Sequence, residues 1–183
     1  MEEEAISEES KIGPSLAPLT LVLGGARSGK SLVAEKLIRD SGNGTYIATA
    51  EARDAEMRRR IDQHQNRRGP AWHNIEALLD LISALTEAEE LGHPVLVDCL
   101  TLWLANLMEA DRDIGKETDS LTTRLTGMTC PVVMVSNEVG QGIVPANALA
   151  RRFRDHAGVL NQAMAACADR VYVVTAGIPT QLK

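Results

Sequence analysis

Three groups of residues in this chain have the types and spacing to do chemistry on a nucleotide. The first is Gly24-Gly25-Ala26-Arg27-Ser28-Gly29-Lys30-Ser31, which satisfies G-x-x-x-x-G-K-[ST]. Glycines there let the backbone turn tightly and aim N–H groups at phosphate, Lys30 reaches the β- and γ-phosphates, and the Ser31 hydroxyl holds Mg²⁺. The second is Asp98, the carboxylate closing the apolar run Val95-Leu96-Val97. That is the form of a Walker B strand, which delivers Asp98 to the Mg²⁺ region. The third is His64, on a helical pattern over residues 54–68 that also carries Arg58, Arg59, Arg60, Arg67 and Arg68. A neutral imidazole there can attack phosphorus while arginines neutralise the transferring group and Lys30 and Mg²⁺ stabilise departing pyrophosphate. An ordinary histidine on a helix face has the same appearance, and the residues alone leave both readings open. His73, His93 and His156 read as structural or surface histidines.

These groups need elements to position them. Residues 19–23 form an apolar run that reads as a buried strand, and residues 32–38 have apolar positions at helical spacing, so the glycine loop has its strand before and helix after. The helix is expected to end near Ser41-Gly42. Residues 45–49 read as a second strand, rich in β-branched and aromatic types, and if it neighbours the first, Thr49 and Ala50 fall near the nucleotide. Residues 54–68 begin acidic and end basic, as the helix dipole favours, with Met57, Ile61, His64 and Arg68 on one stripe and Glu56 a turn from Arg60.

Gly69-Pro70 breaks that helix, and a second amphipathic segment is expected with Ile75, Leu78, Leu79, Ile82 and Leu85 on its buried side. The Asp98 strand follows Gly92-His93-Pro94. A helix is expected from Leu100 to Met108, then a connection or exposed helix start over residues 111–120. Residues 131–137 read as a strand whose polar end carries Asn137 and Glu138 to the ligand edge. Pro145 can open a long helix with Leu149, Phe153, Ala157, Leu160 and Met164 buried. Residues 171–175 make a last parallel strand, and the remainder suffices for a short antiparallel edge strand.

The expectation is an α/β fold: a single P-loop NTPase (RecA-like) domain, with a mostly parallel sheet and helices on both faces. Its bounds are residues 18–183, after a disordered acidic extension over residues 1–17. The chain has 183 residues, 44% hydrophobic, enough for one sizeable core. A net charge of −6 argues against broad nucleic-acid binding. No run is long and apolar enough to span a bilayer, and the acidic N-terminus is unlike a secretory signal. Cys99, Cys130 and Cys167 lack metal-ligand spacing and read as reduced thiols of a cytoplasmic protein. No N-K-x-D motif is present to read guanine as small GTPases do, which lowers a switch function.

The glycine loop, Tyr46-Ile47-Ala48-Thr49-Ala50, Glu56-Met57 with Arg60-Ile61 and His64, and Ser136-Asn137-Glu138-Val139-Gly140 with Gly142-Ile143-Val144-Pro145 share an order and spacing with a known family. So do Asn147, Leu149, Arg151, Phe153-Arg154-Asp155, Gly158, Asn161-Gln162, Ala168-Asp169, Gly177-Ile178-Pro179 and Leu182-Lys183. Over about residues 19–183 the chain resembles the bifunctional adenosylcobinamide kinase/adenosylcobinamide-phosphate guanylyltransferases of cobalamin biosynthesis.

The resemblance implies that a nucleoside triphosphate, ATP or GTP, phosphorylates the aminopropanol hydroxyl of adenosylcobinamide. GTP then guanylylates His64, and adenosylcobinamide phosphate takes the GMP. It also implies nucleotide contacts from the glycine loop, Ala48, Thr49, Ala50, Gln65, Asn66, Arg67, Arg68, Glu76 and Asp98, with Glu76 resting on the family alone. Mg²⁺ is implied at Ser31 and Asp98, and a homotrimer is the implied assembly. Some members have two adjacent histidines where this chain has Gln63-His64, and some have Glu at the position of Asp98. The stretch between Met108 and Pro131 is short for the family. Two rivals remain at this stage: a P-loop small-molecule or nucleotide kinase without a covalent intermediate, and a nucleotide-dependent regulatory binding protein.

Overall fold

The computed structural model describes residues 16–40, 42–51, 59 and 72–183. Seven strands lie in one sheet: β1 (Leu19–Gly24), β2 (Gly44–Ala48), β3 (Trp72–Glu76), β4 (Val95–Asp98), β5 (Val132–Asn137), β6 (Arg170–Thr175) and β7 (Ile178–Gln181). Their order is β3-β2-β4-β5-β1-β6-β7. Every pairing is parallel except β6 with β7. The central strands are apolar at nearly every position because helices cover both faces. On one face α1 (Lys30–Arg39) packs Val33, Ala34, Leu37 and Ile38 against Val22, Leu96, Val133 and Val135. On the other face α2 (Leu81–Glu90), α3 (Leu100–Glu109), α4 (Ile114–Thr126) and α5 (Ala148–Cys167) enclose Leu21, Val97, Met134 and Trp103.

Two expectations are corrected. Ile75 sits on the edge strand β3, not on a helix, and the helix begins only at Leu81. Trp72 and Ile75 are three residues apart, as on a helix face, but the pleat sends them to opposite sides: Trp72 joins the α1 layer and Ile75 the other. Asp80 then caps α2 by accepting from the Ser83 N–H at 3.1 Å. Leu78 is 36% exposed rather than buried.

The long helix starts later than Pro145, at Ala148, because Asn147 accepts from the N–H groups of Leu149 and Ala150. Leu149 is left 61% exposed, and full burial on this stripe is reached at Ala157, Leu160 and Met164. The 54–68 helix lies outside the described residues. The stretch after Met108 makes the complete helix α4, whose Leu121 and Leu125 enter the core.

Glu89 ties α2 and α4 to the approach to β5. It accepts from the Thr129 N–H at 2.6 Å, from Arg124 at 2.6 Å and from the Thr129 hydroxyl at 2.8 Å. Those bonds, the Thr129 amide foremost, hold its carboxyl at about 2, below the ordinary 4.5. A depressed carboxyl stabilises fully above its unfolded value and loses that contribution as pH falls through the folded one. Glu89→Gln is therefore expected to be less stable than the parent at neutral pH, with the gap closing between pH 4.5 and about 2. Urea midpoints measured across that range check it; a gap independent of pH would refute it.

Candidate functional site

The carboxyl ends of β3, β2, β4, β5 and β1 form one edge, carrying Glu76, Ala48, Asp98, Asn137 and Gly24 in that order. Ala48 stands level with both Glu76 and Asp98, and Gly24 level with Asn137. One strand, β5, separates Gly24 from Asp98, so their strands run roughly 10 Å apart.

The loop after β1 is held open by its own backbone and by the chain around it. Ser28 N–H donates to the Gly25 carbonyl at 3.2 Å, and the Lys30 ammonium donates to the same carbonyl at 3.1 Å. Gly29 takes φ 93° as N-cap of α1, with no side chain capping the helix, so its first-turn N–H groups face the loop's concavity. A Cβ on Gly24 would lie 2.4 Å from Ser28 Oγ and 2.7 Å from the Val174 carbonyl, which only glycine avoids.

The β6–β7 turn buttresses this loop. Ala176 and Gly177 both have positive φ, 52° and 83°, as a two-residue hairpin turn requires. The Gly177 N–H donates to the Ser28 carbonyl at 2.8 Å, and a Cβ on Gly29 would meet Gly177 Cα at 3.1 Å. The C-terminal hairpin and the phosphate loop thus share one glycine-to-glycine contact. From the other side, the Glu138 N–H donates to the Gly24 carbonyl at 3.1 Å.

Asp98 is oriented from β2. Tyr46, two residues before Ala48 and buried, donates its hydroxyl to Asp98 Oδ2 at 3.1 Å. Thr49 is fully buried. Its hydroxyl donates to the Cys99 carbonyl and accepts from the Cys99 N–H, both at 2.7 Å, and its own N–H donates to the Asp98 carbonyl at 3.2 Å. Its carbonyl accepts from Asn106 at 2.9 Å. Every polar group of Thr49 is engaged within the protein, so it serves the edge by fixing the backbone that carries Asp98. Thr49→Val would orphan a buried amide and carbonyl, at a cost of about 1–3 kcal/mol. A drop of several degrees in the thermal midpoint is expected, and an unchanged midpoint would show that the hydroxyl bridges nothing.

The structure gathers Gly24, Gly25, Ala26, Arg27, Ser28, Gly29, Lys30, Ser31, Ala48, Thr49, Ala50, Glu76 and Asp98 at one edge. His64, Gln65, Asn66, Arg67 and Arg68 lie outside the described residues. Sequence reasoning missed Tyr46, Asn106 and Gly177 as supports of the site. Burial, with the Asp98 charge adding to it, pushes the Cys99 thiol up, so this cysteine beside the site is inert.

A hydroxyl on the first turn of α1 and a carboxylate across one strand are hard oxygen donors of the kind Mg²⁺ takes. Among the described residues no cluster of three His, Cys, Asp or Glu forms a metal cage. The donor set therefore fits an ion that arrives with, and is largely coordinated by, a triphosphate.

The sequence profile of the family described as CobU: Cobinamide kinase / cobinamide phosphate guanyltransferase matches residues 20–182. The chain is 46% identical over 166 residues to the bifunctional adenosylcobalamin biosynthesis protein CobP of Pseudomonas aeruginosa, covering 89% of this chain and 96% of that protein. It is 39% identical over 180 residues to CobU of Salmonella typhimurium, likewise described as a bifunctional adenosylcobalamin biosynthesis protein, covering 90% and 99%. The Escherichia coli protein of the same description is 41% identical over 183 residues, covering 90% and 99%.

Proposed function

The chain belongs to the cobinamide kinase / cobinamide phosphate guanyltransferase family, and from that premise we propose that it performs both reactions at the sheet edge, the second through His64. A nucleoside triphosphate phosphorylates adenosylcobinamide, and GMP from GTP then passes to adenosylcobinamide phosphate. The observation that carries this reading is an open phosphate loop and an oriented Asp98 on one edge of a chain matched to the family over residues 20–182.

The loop amides and Lys30 bind the phosphates, and Lys30 offsets negative charge as it builds on the departing group. Ser31 and Asp98 would hold Mg²⁺, which supplies charge neutralisation at the phosphates. A neutral His64 nitrogen forms a bond to the α-phosphorus as the α–β bridging bond breaks, and pyrophosphate leaves. A phosphate oxygen of the acceptor then attacks the same phosphorus, the P–N bond breaks, and His64 is regenerated. Gln65, Asn66, Arg67, Arg68 and Glu76 are assigned to the guanine nucleotide. A cytoplasmic homotrimer acting on a small corrinoid belongs to the same reading. Among the described residues no helix is long and apolar enough to cross a membrane.

Mass spectrometry of the intact protein and of its peptides after incubation with GTP and Mg²⁺ tests the proposal. A GMP adduct on the peptide containing His64 is expected. No adduct, with corrinoid phosphorylation intact, would leave a simple P-loop kinase in its place.

A further inference from the structure

Asp98 is steered from the neighbouring chain segment by two residues that do different things. Thr49 holds its backbone, through the N–H donated to the Asp98 carbonyl and the hydroxyl bridge across Cys99. Tyr46 holds its side chain. In β4 the pleat puts Leu96 in the α1 layer and Val97 in the layer of the other helices, so Asp98, the next residue, turns to the α1 face. That is the face on which Lys30 and Ser31 begin α1. Parallel pairing sets Tyr46 level with Leu96 and Ala48 level with Asp98, which makes Tyr46 the diagonal neighbour of Asp98 on the same face. A phenol spans that diagonal, and its hydroxyl donates to Asp98 Oδ2 at 3.1 Å.

The ring of Tyr46 has little freedom. It is 8% exposed and packs in the cluster that contains Val22, Val33, Leu37, Ile38 and Leu96. Close packing fixes the ring, and the ring fixes where the hydroxyl stands. The bond to Asp98 is therefore in place before any ligand arrives, and the carboxylate does not have to lose rotamer freedom when it takes up an ion.

We infer that Tyr46 is a positioning residue for the metal-dependent part of nucleotide binding, a reading that rests on the proposed function. It acts through Asp98, directing the carboxylate to the first turn of α1, so that Mg²⁺ carried in on a triphosphate meets an oriented ligand. The hydroxyl is then dispensable for holding phosphate, which the loop amides and Lys30 do, and needed wherever the ion is. Both reactions draw on the same ion and triphosphate, so both depend on Tyr46 alike.

Tyr46→Phe keeps the buried ring and deletes the hydroxyl alone. Calorimetry on the full-length protein measures binding of α,β-methylene-GTP, whose carbon bridge blocks GMP transfer, in EDTA and across a Mg²⁺ series. The affinity in EDTA is expected to stay within twofold of the parent, while the Mg²⁺ concentration that gives half of the affinity gain rises about tenfold. Saturating Mg²⁺ is expected to restore both reactions to within twofold of the parent. In an Asp98→Ala background the same substitution is expected to move the Mg²⁺ requirement by less than twofold, because the pair acts as one unit. An unchanged Mg²⁺ requirement in Tyr46→Phe overturns the inference. So does an equal loss of affinity in EDTA and in Mg²⁺, which would give the hydroxyl to the nucleotide pocket or to the fold. A full further shift in the Asp98→Ala background overturns it too, as does a parent whose affinity ignores Mg²⁺. Binding is read without turnover, so a parent that phosphorylates no corrinoid and forms no GMP adduct would overturn the proposed function and leave the Mg²⁺ curves as they are.

Discussion

Lys30→Ala is expected to depress both phosphorylation and GMP transfer, lowering kcat/KM for the nucleotide by about 10²–10³ in each. The loss is shared because, in the proposed mechanism, one loop holds the triphosphate whether the γ- or the α-phosphorus is attacked. Lys30 leaves the first turn of α1 and lies over the Gly25 carbonyl at 3.1 Å, inside the concavity made by Gly24 to Gly29. Its charge is thus pre-positioned where phosphate charge develops, and a methyl group cannot replace it. The core contacts of α1 come from Val33, Ala34, Leu37 and Ile38, so the fold should survive the substitution. Circular dichroism and thermal unfolding establish that, and steady-state kinetics of each half-reaction read the effect. Normal guanylylation in a folded Lys30→Ala protein would show that GTP binds elsewhere.

The parts of the site most legible in the sequence are those where one local rule fixes the geometry. The glycine loop, its strand and its helix follow from spacing alone, and Asp98 was placed by the end of an apolar run. The antiparallel β7 was foreshadowed because Ala176-Gly177 leaves too little chain for a crossover. What spacing could not show is the contact between elements distant in sequence. Nothing near Gly177 says that its N–H will reach the Ser28 carbonyl, 149 positions earlier, and nothing at Tyr46 says that Asp98 will be its partner. Those facts depend on strand order, which places β6 beside β1 and β2 beside β4.

The two misread segments have a common physical cause. Ile75 and Leu149 each continue a helical stripe in the sequence, yet burial depends on what lies opposite. At Ile75 an edge strand offers two faces, so residues three apart are both buried. At Leu149 the stripe continues along the helix, but its first turn is left exposed.

His64→Ala is expected to abolish the GMP adduct and GMP transfer, a loss of 10³-fold or more, while phosphorylation of adenosylcobinamide persists. The two reactions separate here as they do not at Lys30. In the proposed mechanism the loop, Asp98 and Ser31 serve any attack on the triphosphate, whereas a covalent nucleophile is needed only for the second reaction. The kinase step joins hydroxyl and γ-phosphorus directly and has no use for an imidazole nucleophile. The test pairs α-labelled GTP, followed by denaturation under alkaline conditions where a P–N bond endures, with a corrinoid phosphorylation assay on the same preparation. Label on the denatured parent and none on His64→Ala, with both proteins phosphorylating the corrinoid, is the expected pattern. Label on both proteins would assign the nucleophile to another residue. Loss of both activities in a folded His64→Ala protein would make His64 part of nucleotide binding rather than the group that carries GMP.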